Sequence, residues 1–106
     1  MDTNTKIRTP KVFKVAGVSF HKKNVESLSH GNILHLELDP ENKYDSNAVK
    51  VLNDKNEMLG FVPKEFNSAV VKKFEKISKK YTLIVKNIHI WDGPTGLEVE
   101  FISKDS

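Results

Sequence analysis

One stretch, Gly31 to Lys64, constrains this chain more than any other: GNILHLELDPENKYDSNAVKVLNDKNEMLGFVPK. Alternation around Leu36-Glu37-Leu38 and Val49-Lys50-Val51 is the period of half-buried strands. A third strand, Met58 to Val62, is ended by Pro63. The second connection, Asn53-Asp54-Lys55-Asn56, is ordinary hairpin chemistry. The first, Asp39 to Asn47, has nine residues where a hairpin loop usually has about two to five. It sets Tyr44 and Asp45 side by side at its tip. Read from the residues alone, that pair either shapes a turn or faces a ligand, and both readings stand.

The other elements follow from local pattern. Lys11 to Phe20 is rich in β-branched and aromatic residues and is expected to be a strand, with Gly17 marking a bulge or close backbone approach. His21 to Ser29 is a short polar or helical turn ending near Gly31, a left-handed cap. Pro63 opens a helix. The stripe Phe66, Ala69, Val70, Phe74, Ile77 makes it amphipathic up to Lys80. Tyr81 onward is strand material, running through Ile88 and Ile90 to Trp91, a candidate barrel-closing aromatic. Asp92 to Gly96 turns the chain, and Leu97, Val99 and Phe101 alternate with Glu98 and Glu100 in a last strand. The expected fold is mainly β: a small six-stranded OB- or SH3-like barrel with one long amphipathic helix and a short helical turn. Residues 1–10 are expected to be a flexible leader, and 11–106 a single domain.

Composition limits the function classes. At 106 residues, 38% hydrophobic and 29% charged, the chain fits one core. It has no apolar run of membrane-spanning length, no signal-peptide core and no cysteine, so a cytoplasmic protein (nuclear in a eukaryote) is expected. The net charge of +3 is uneven. Residues 1–23 hold six Lys or Arg against one Asp, and residues 64–86 hold seven Lys against two Glu. Between them, residues 24–63 hold three Lys against seven acids. Basic blocks suit a polyanionic ligand, although lysines equally serve to solubilise helix faces. The four histidines show no metal-ligand spacing, no nucleophile elbow surrounds a serine and no Walker loop occurs. No metal, cofactor or catalytic residue is assigned.

Three segments in order and at matching intervals, V-A-G-V-S-F, D-P-E-N-K-Y-D-S-N-A-V-K-V and L-G-F-V-P-K, resemble the HIRAN domain family over residues 12 to 103 or thereabouts. The resemblance implies, independently of the pattern reading, a small barrel carrying a helix. It also implies a non-catalytic module that binds the free 3′ end of single-stranded DNA. Asp45 would then accept the terminal 3′-hydroxyl, Tyr44 and Phe20 would stack the last bases, and Phe61 would line the pocket. Asn42 would touch sugar or base and Asn47 would shape the loop, while Gly60 would let the backbone approach the ligand. Lys64 would meet phosphate, and Lys22, Lys23 or the Lys72-Lys73-Lys76 group would replace a cation that some members carry and this sequence lacks. The chemistry is coherent. A free hydroxyl donates to a carboxylate, whereas an internal 3′ oxygen is esterified, offers no donor and brings a negative charge.

Two positions depart from the family. Phe61 stands where helicase-associated members often have a His or Tyr, and Ser19 where some have an Arg. In larger members the module is fused to a motor or nuclease and steers it to stalled forks or damaged ends. This sequence carries no motor motif, so a helicase or nuclease partner is expected in trans, with the module itself a monomer. The alternatives are a protein-interaction adaptor of the same fold and, more remotely, a metal-dependent nuclease using Asp39, Glu41 and Asp45.

Overall fold

The computed structural model describes residues 9–89 and 95–104. Expectations for residues 1–8 and for Ile90, Trp91 and the 92–94 part of the last turn lie outside the described residues. Six strands occur in chain order: β1 (Val12–Lys14), β2 (Ile33–Leu38), β3 (Val49–Leu52), β4 (Met58–Phe61), β5 (Tyr81–His89) and β6 (Gly96–Ser103). A 3-10 turn (Val18–His21) and α1 (Lys22–Glu26) follow β1, and α2 (Asn67–Lys72) and α3 (Phe74–Lys80) separate β4 from β5.

All neighbouring strands are antiparallel in a single sheet of order β1-β6-β5-β2-β3-β4. β2 belongs to two ladders: Ile33 and Leu34 pair with β5, and His35 to Leu38 pair with β3. The sheet is not closed. Its two edges approach at one bridge, where Ala16 and Phe61 exchange N–H···O bonds of 2.8 Å in both directions. A single bridge is not a strand ladder, so the expected barrel is seen only as a curled open sheet.

The bridge depends on Gly60. A Cβ there would overlap the Ala16 carbonyl oxygen and lie 2.7 Å from Val15 Cγ1. The residue is buried, and the close backbone approach it permits here is to β1's continuation.

Two further expectations are corrected. The strand expected over Lys11–Phe20 ends at Lys14, because Gly17 (φ 75°) turns the chain into the left-handed region and begins the 3-10 turn. Phe20 and Ser19 therefore sit on that turn and not on a strand. The single long helix is two helices broken at Lys73 (φ −111°, ψ 21°). The apolar stripe survives the break: Ala69, Val70 and Ile77 are buried, and Phe66 and Phe74 pack against the core. α2 lies against β3 and α3 against β5. The two helices thus lay one stripe on two different strands; consecutive β-branched Val70-Val71 lower helix propensity just before the break.

The core is assembled from the inward faces of the strands and this stripe: Leu34, Val49, Val51, Leu59, Leu83, Val85, Leu97 and Val99 with Val25, Val70 and Ile77. Phe13 bridges sheet and helix, its ring 5.4 Å from Phe66 and 5.8 Å from Phe101. At this packing, Gly60→Ala should destabilise the domain by about 1–3 kcal/mol, the usual range for overpacking. Denaturant midpoints of the two proteins check this, and an unchanged midpoint would show that the bridge tolerates a methyl group.

Candidate nucleic-acid interface

The Asp39–Asn47 loop is ordered by its own side chains. Asp39 N–H donates to Ala48 O at 2.9 Å and closes the base. Asn42 Oδ1 accepts from the N–H of Tyr44 (2.9 Å) and of Asp45 (3.1 Å), and Asn42 Nδ2 donates to Asp39 Oδ2 (3.0 Å). Asn42, expected to meet sugar or base, is thus engaged within the loop. Its amide holds the Tyr44-Asp45 backbone in place, as Asx side chains commonly do.

Asp45 is half-buried, and its carboxylate is held at both oxygens. Oδ1 accepts from Asn47 N–H at 2.9 Å, and Oδ2 accepts from Asn67 Nδ2 at 2.8 Å. The Asn47 N–H and then the Asn67 amide hold its pKa below the ordinary aspartate value; partial burial opposes this, and the Lys64 ammonium adds a smaller pull. Asn67, only 4% exposed, anchors the loop to the start of α2. The sequence reading missed it. It lies 22 residues from Asp45, so no local spacing connects the two. The carboxylate is a brace, yet not a saturated one. It offers about four lone-pair sites and these two bonds occupy two of them.

The aromatic residues separate into two kinds. Phe20 and Tyr44 are 85% and 89% exposed. Phe61 is half-buried and stands outside the core cluster. The 3-10 turn bearing Phe20 packs on β4 and is linked to it through the Ala16–Phe61 bridge. The loop bearing Tyr44 lies beyond the end of that strand, since Val62 N–H donates to Val49 O next to the loop base. The two exposed rings thus flank the same strand. Phe61 is itself the point at which the turn is attached, and the exposed Lys64 follows two residues after Val62. Lys22 and Lys23 are exposed on α1, one turn past Ser19. A second residue the sequence did not single out fixes them: Asn24 Nδ2 donates to Met58 O at 2.9 Å and ties α1 to β4.

Among the described residues no group of three or more His, Asp or Glu is arranged to hold a metal ion. No helix among them is long and apolar enough to cross a membrane.

A model of the HIRAN domain matches residues 11–93, most of the chain. The chain belongs to the HIRAN domain family, a family of nucleic-acid-binding domains. Two solved structures share its fold. The crystal structure of the HIRAN domain of human HLTF superposes with a TM-score of 0.64 at 24% identity, covering 89% of this chain and 75% of that one. A protein from Lactobacillus plantarum does so with a TM-score of 0.62 at 17% identity, covering 91% and 95%. At these identities the likeness is one of fold. No curated protein matches the chain.

The geometry of Asp45 sets a pH dependence. Its pKa is lower folded than unfolded, so its contribution to stability is complete above the ordinary aspartate pKa. It is lost as pH falls through the lowered value. An NMR titration of the Asp45 carboxyl should give a midpoint below the ordinary aspartate range. In Asn67→Ala the midpoint should move part of the way back, because the Asn47 N–H remains. No movement in that variant would remove Asn67 from the set of groups that tune the carboxylate.

Proposed function

We propose that this domain is a non-catalytic module that captures the 3′-hydroxyl end of single-stranded DNA. The observation that carries the reading is a pair of rings left almost fully in water: Tyr44, next in the chain to the fixed carboxylate of Asp45, and Phe20, on the turn that packs on β4. Large exposed apolar side chains that flank one strand, each on its own ordered loop or turn, are what base stacking uses. Asp45 keeps acceptor capacity after bracing the loop, and, with its pKa held below the ordinary aspartate value, it is ionised at neutral pH. An ionised carboxylate can accept from a terminal hydroxyl; against an internal phosphodiester it meets only negative charge. The bonds from Asn47 and Asn67 fix its direction in advance, which reduces the ordering cost of binding.

Phe61 lines the pocket by stacking or packing, since a Phe cannot supply the hydrogen bond that a His or Tyr would. Lys64, Lys22 and Lys23 serve as phosphate contacts, the last two in place of the arginine that some family members carry at the position of Ser19. Asn42 holds the loop and touches the nucleotide only through its remaining N–H. The activity so described requires an enzyme to be delivered to the end it marks. A helicase or nuclease, acting in trans or from another part of a longer chain, fits a role in repair or fork processing.

Matched oligonucleotides ending in 3′-hydroxyl or 3′-phosphate are the direct test. The hydroxyl end should bind more tightly, and Asp45→Asn should narrow the difference; equal affinity of the unaltered domain for both ends would overturn end recognition. Phe20→Ala and Tyr44→Ala should each weaken binding by about 1–3 kcal/mol with unchanged thermal midpoints, since neither ring is packed in the core. Binding that ignores salt altogether would favour the adaptor reading of the fold.

A further inference from the structure

The break at Lys73 has a consequence for charge. Lys73, Lys76, Lys79 and Lys80 are all exposed, and they follow the turn that begins α3. At about 100° per residue they fall within a sector roughly 120° wide on one flank of the helix. Glu75 lies outside that sector, and the buried Ile77 faces the core. Lys72 precedes them at the end of α2 and is exposed as well. Among the described residues none of the five takes part in an ion pair; the side-chain pairs found are Lys11–Glu100 and Lys50–Glu37. Lys104, by contrast, donates to the Ser78 carbonyl at 2.9 Å and serves the end of the helix. Lysines three and four residues apart (Lys73–Lys76, Lys76–Lys79, Lys76–Lys80) repel one another, and Glu75, the one acid of α3, forms an ion pair with none of them among the described residues.

We infer that this flank of α3 is a second binding surface, one that takes the sugar-phosphate backbone of the duplex adjoining a captured 3′ end. It rests on the reading of the loop site as a nucleic-acid site, and what ties the two is Asn67. The residue that braces Asp45 is also the first residue of α2, whose last residue, Lys72, begins the row of lysines. From Asn67 to Lys80 the helical chain spans at most about 20 Å. Over that axial length one strand of a duplex carries about six phosphates. A row of ammonium groups with flexible stems and no fixed partners suits such backbone contacts, which position a ligand without reading its sequence. The partner is therefore a duplex with a short single-stranded 3′ tail, its end in the loop site and its paired arm along α3.

The test is a salt titration of binding with two probes: a 3′-hydroxyl trinucleotide, and a duplex carrying the same trinucleotide as a 3′ overhang. The variant Lys73→Gln/Lys76→Gln/Lys80→Gln is compared with a control of equal net charge, Lys14→Gln/Lys55→Gln/Lys86→Gln, and with the Lys→Arg version of the first. The helix variant should bind the tailed duplex about tenfold more weakly or worse, with a salt slope shallower by about 2 to 3. It should bind the trinucleotide as before. The control and the arginine version should retain duplex binding. An unchanged slope on the tailed duplex, or an equal loss in the control, would overturn the surface. Selectivity for hydroxyl over phosphate ends reads the loop site separately, so its failure would leave the helix result standing. Circular dichroism of the glutamine variant confirms that α3 is intact.

Discussion

Two backbone hydrogen bonds, exchanged between Ala16 and Phe61, hold together what the rest of the surface needs. They join the residue just past β1 to the end of β4, the opposite edge of the sheet, and Gly60 is the residue that lets the backbones come so close. Without that approach the 3-10 turn would have no wall to pack on. Phe20 would then stand on a free connection, and Lys22 and Lys23 would follow it. Burial of Val15, Val18 and Leu59 around the bridge gives it the apolar support that a lone bridge lacks.

A second constraint works at the other side of β4. A nine-residue loop left to itself would sample many conformations, at about 1–2 kcal/mol of backbone entropy per ordered residue. Here two Asx side chains absorb the disorder. Asn42 fixes the backbone on either side of Tyr44, and Asp45 links the loop to Asn67 on α2. On the function proposed above, structure and recognition draw on the same carboxylate. A group that was only a brace would be satisfied and closed to ligands; one that was only a ligand would swing freely. With two of its lone-pair sites occupied, Asp45 is directed and still able to accept.

Much of this was legible in the residues. Period-two alternation located β2, β3 and β6, because a sheet with a covered face and a wet face must alternate, while β-branched and aromatic content pointed to β1 and β5; the helical stripe likewise placed Val70 and Ile77 inward. Family resemblance singled out Tyr44, Asp45 and Phe61 by position. Errors cluster where a single residue's backbone geometry overrides propensity. Val18-Ser19-Phe20 has strand-forming character, but Gly17 turns it into a 3-10 helix. The lysine-rich helix has an unbroken stripe, but the backbone leaves the helical region at Lys73 and divides it.

The sequence by itself determined the antiparallel β character, the inward faces, the amphipathic helical segment and the placement of an aromatic beside an acid in a long loop. These are local matters, governed by period, turn chemistry and polarity along the chain. Only the tertiary structure decided that Gly60 lets Ala16 approach, that Asn67 holds Asp45, and that Phe20 and Tyr44 flank one strand. Each of those depends on residues many positions apart meeting in space. Such meetings are set by how the whole sheet curls and packs, and no neighbouring sequence records them.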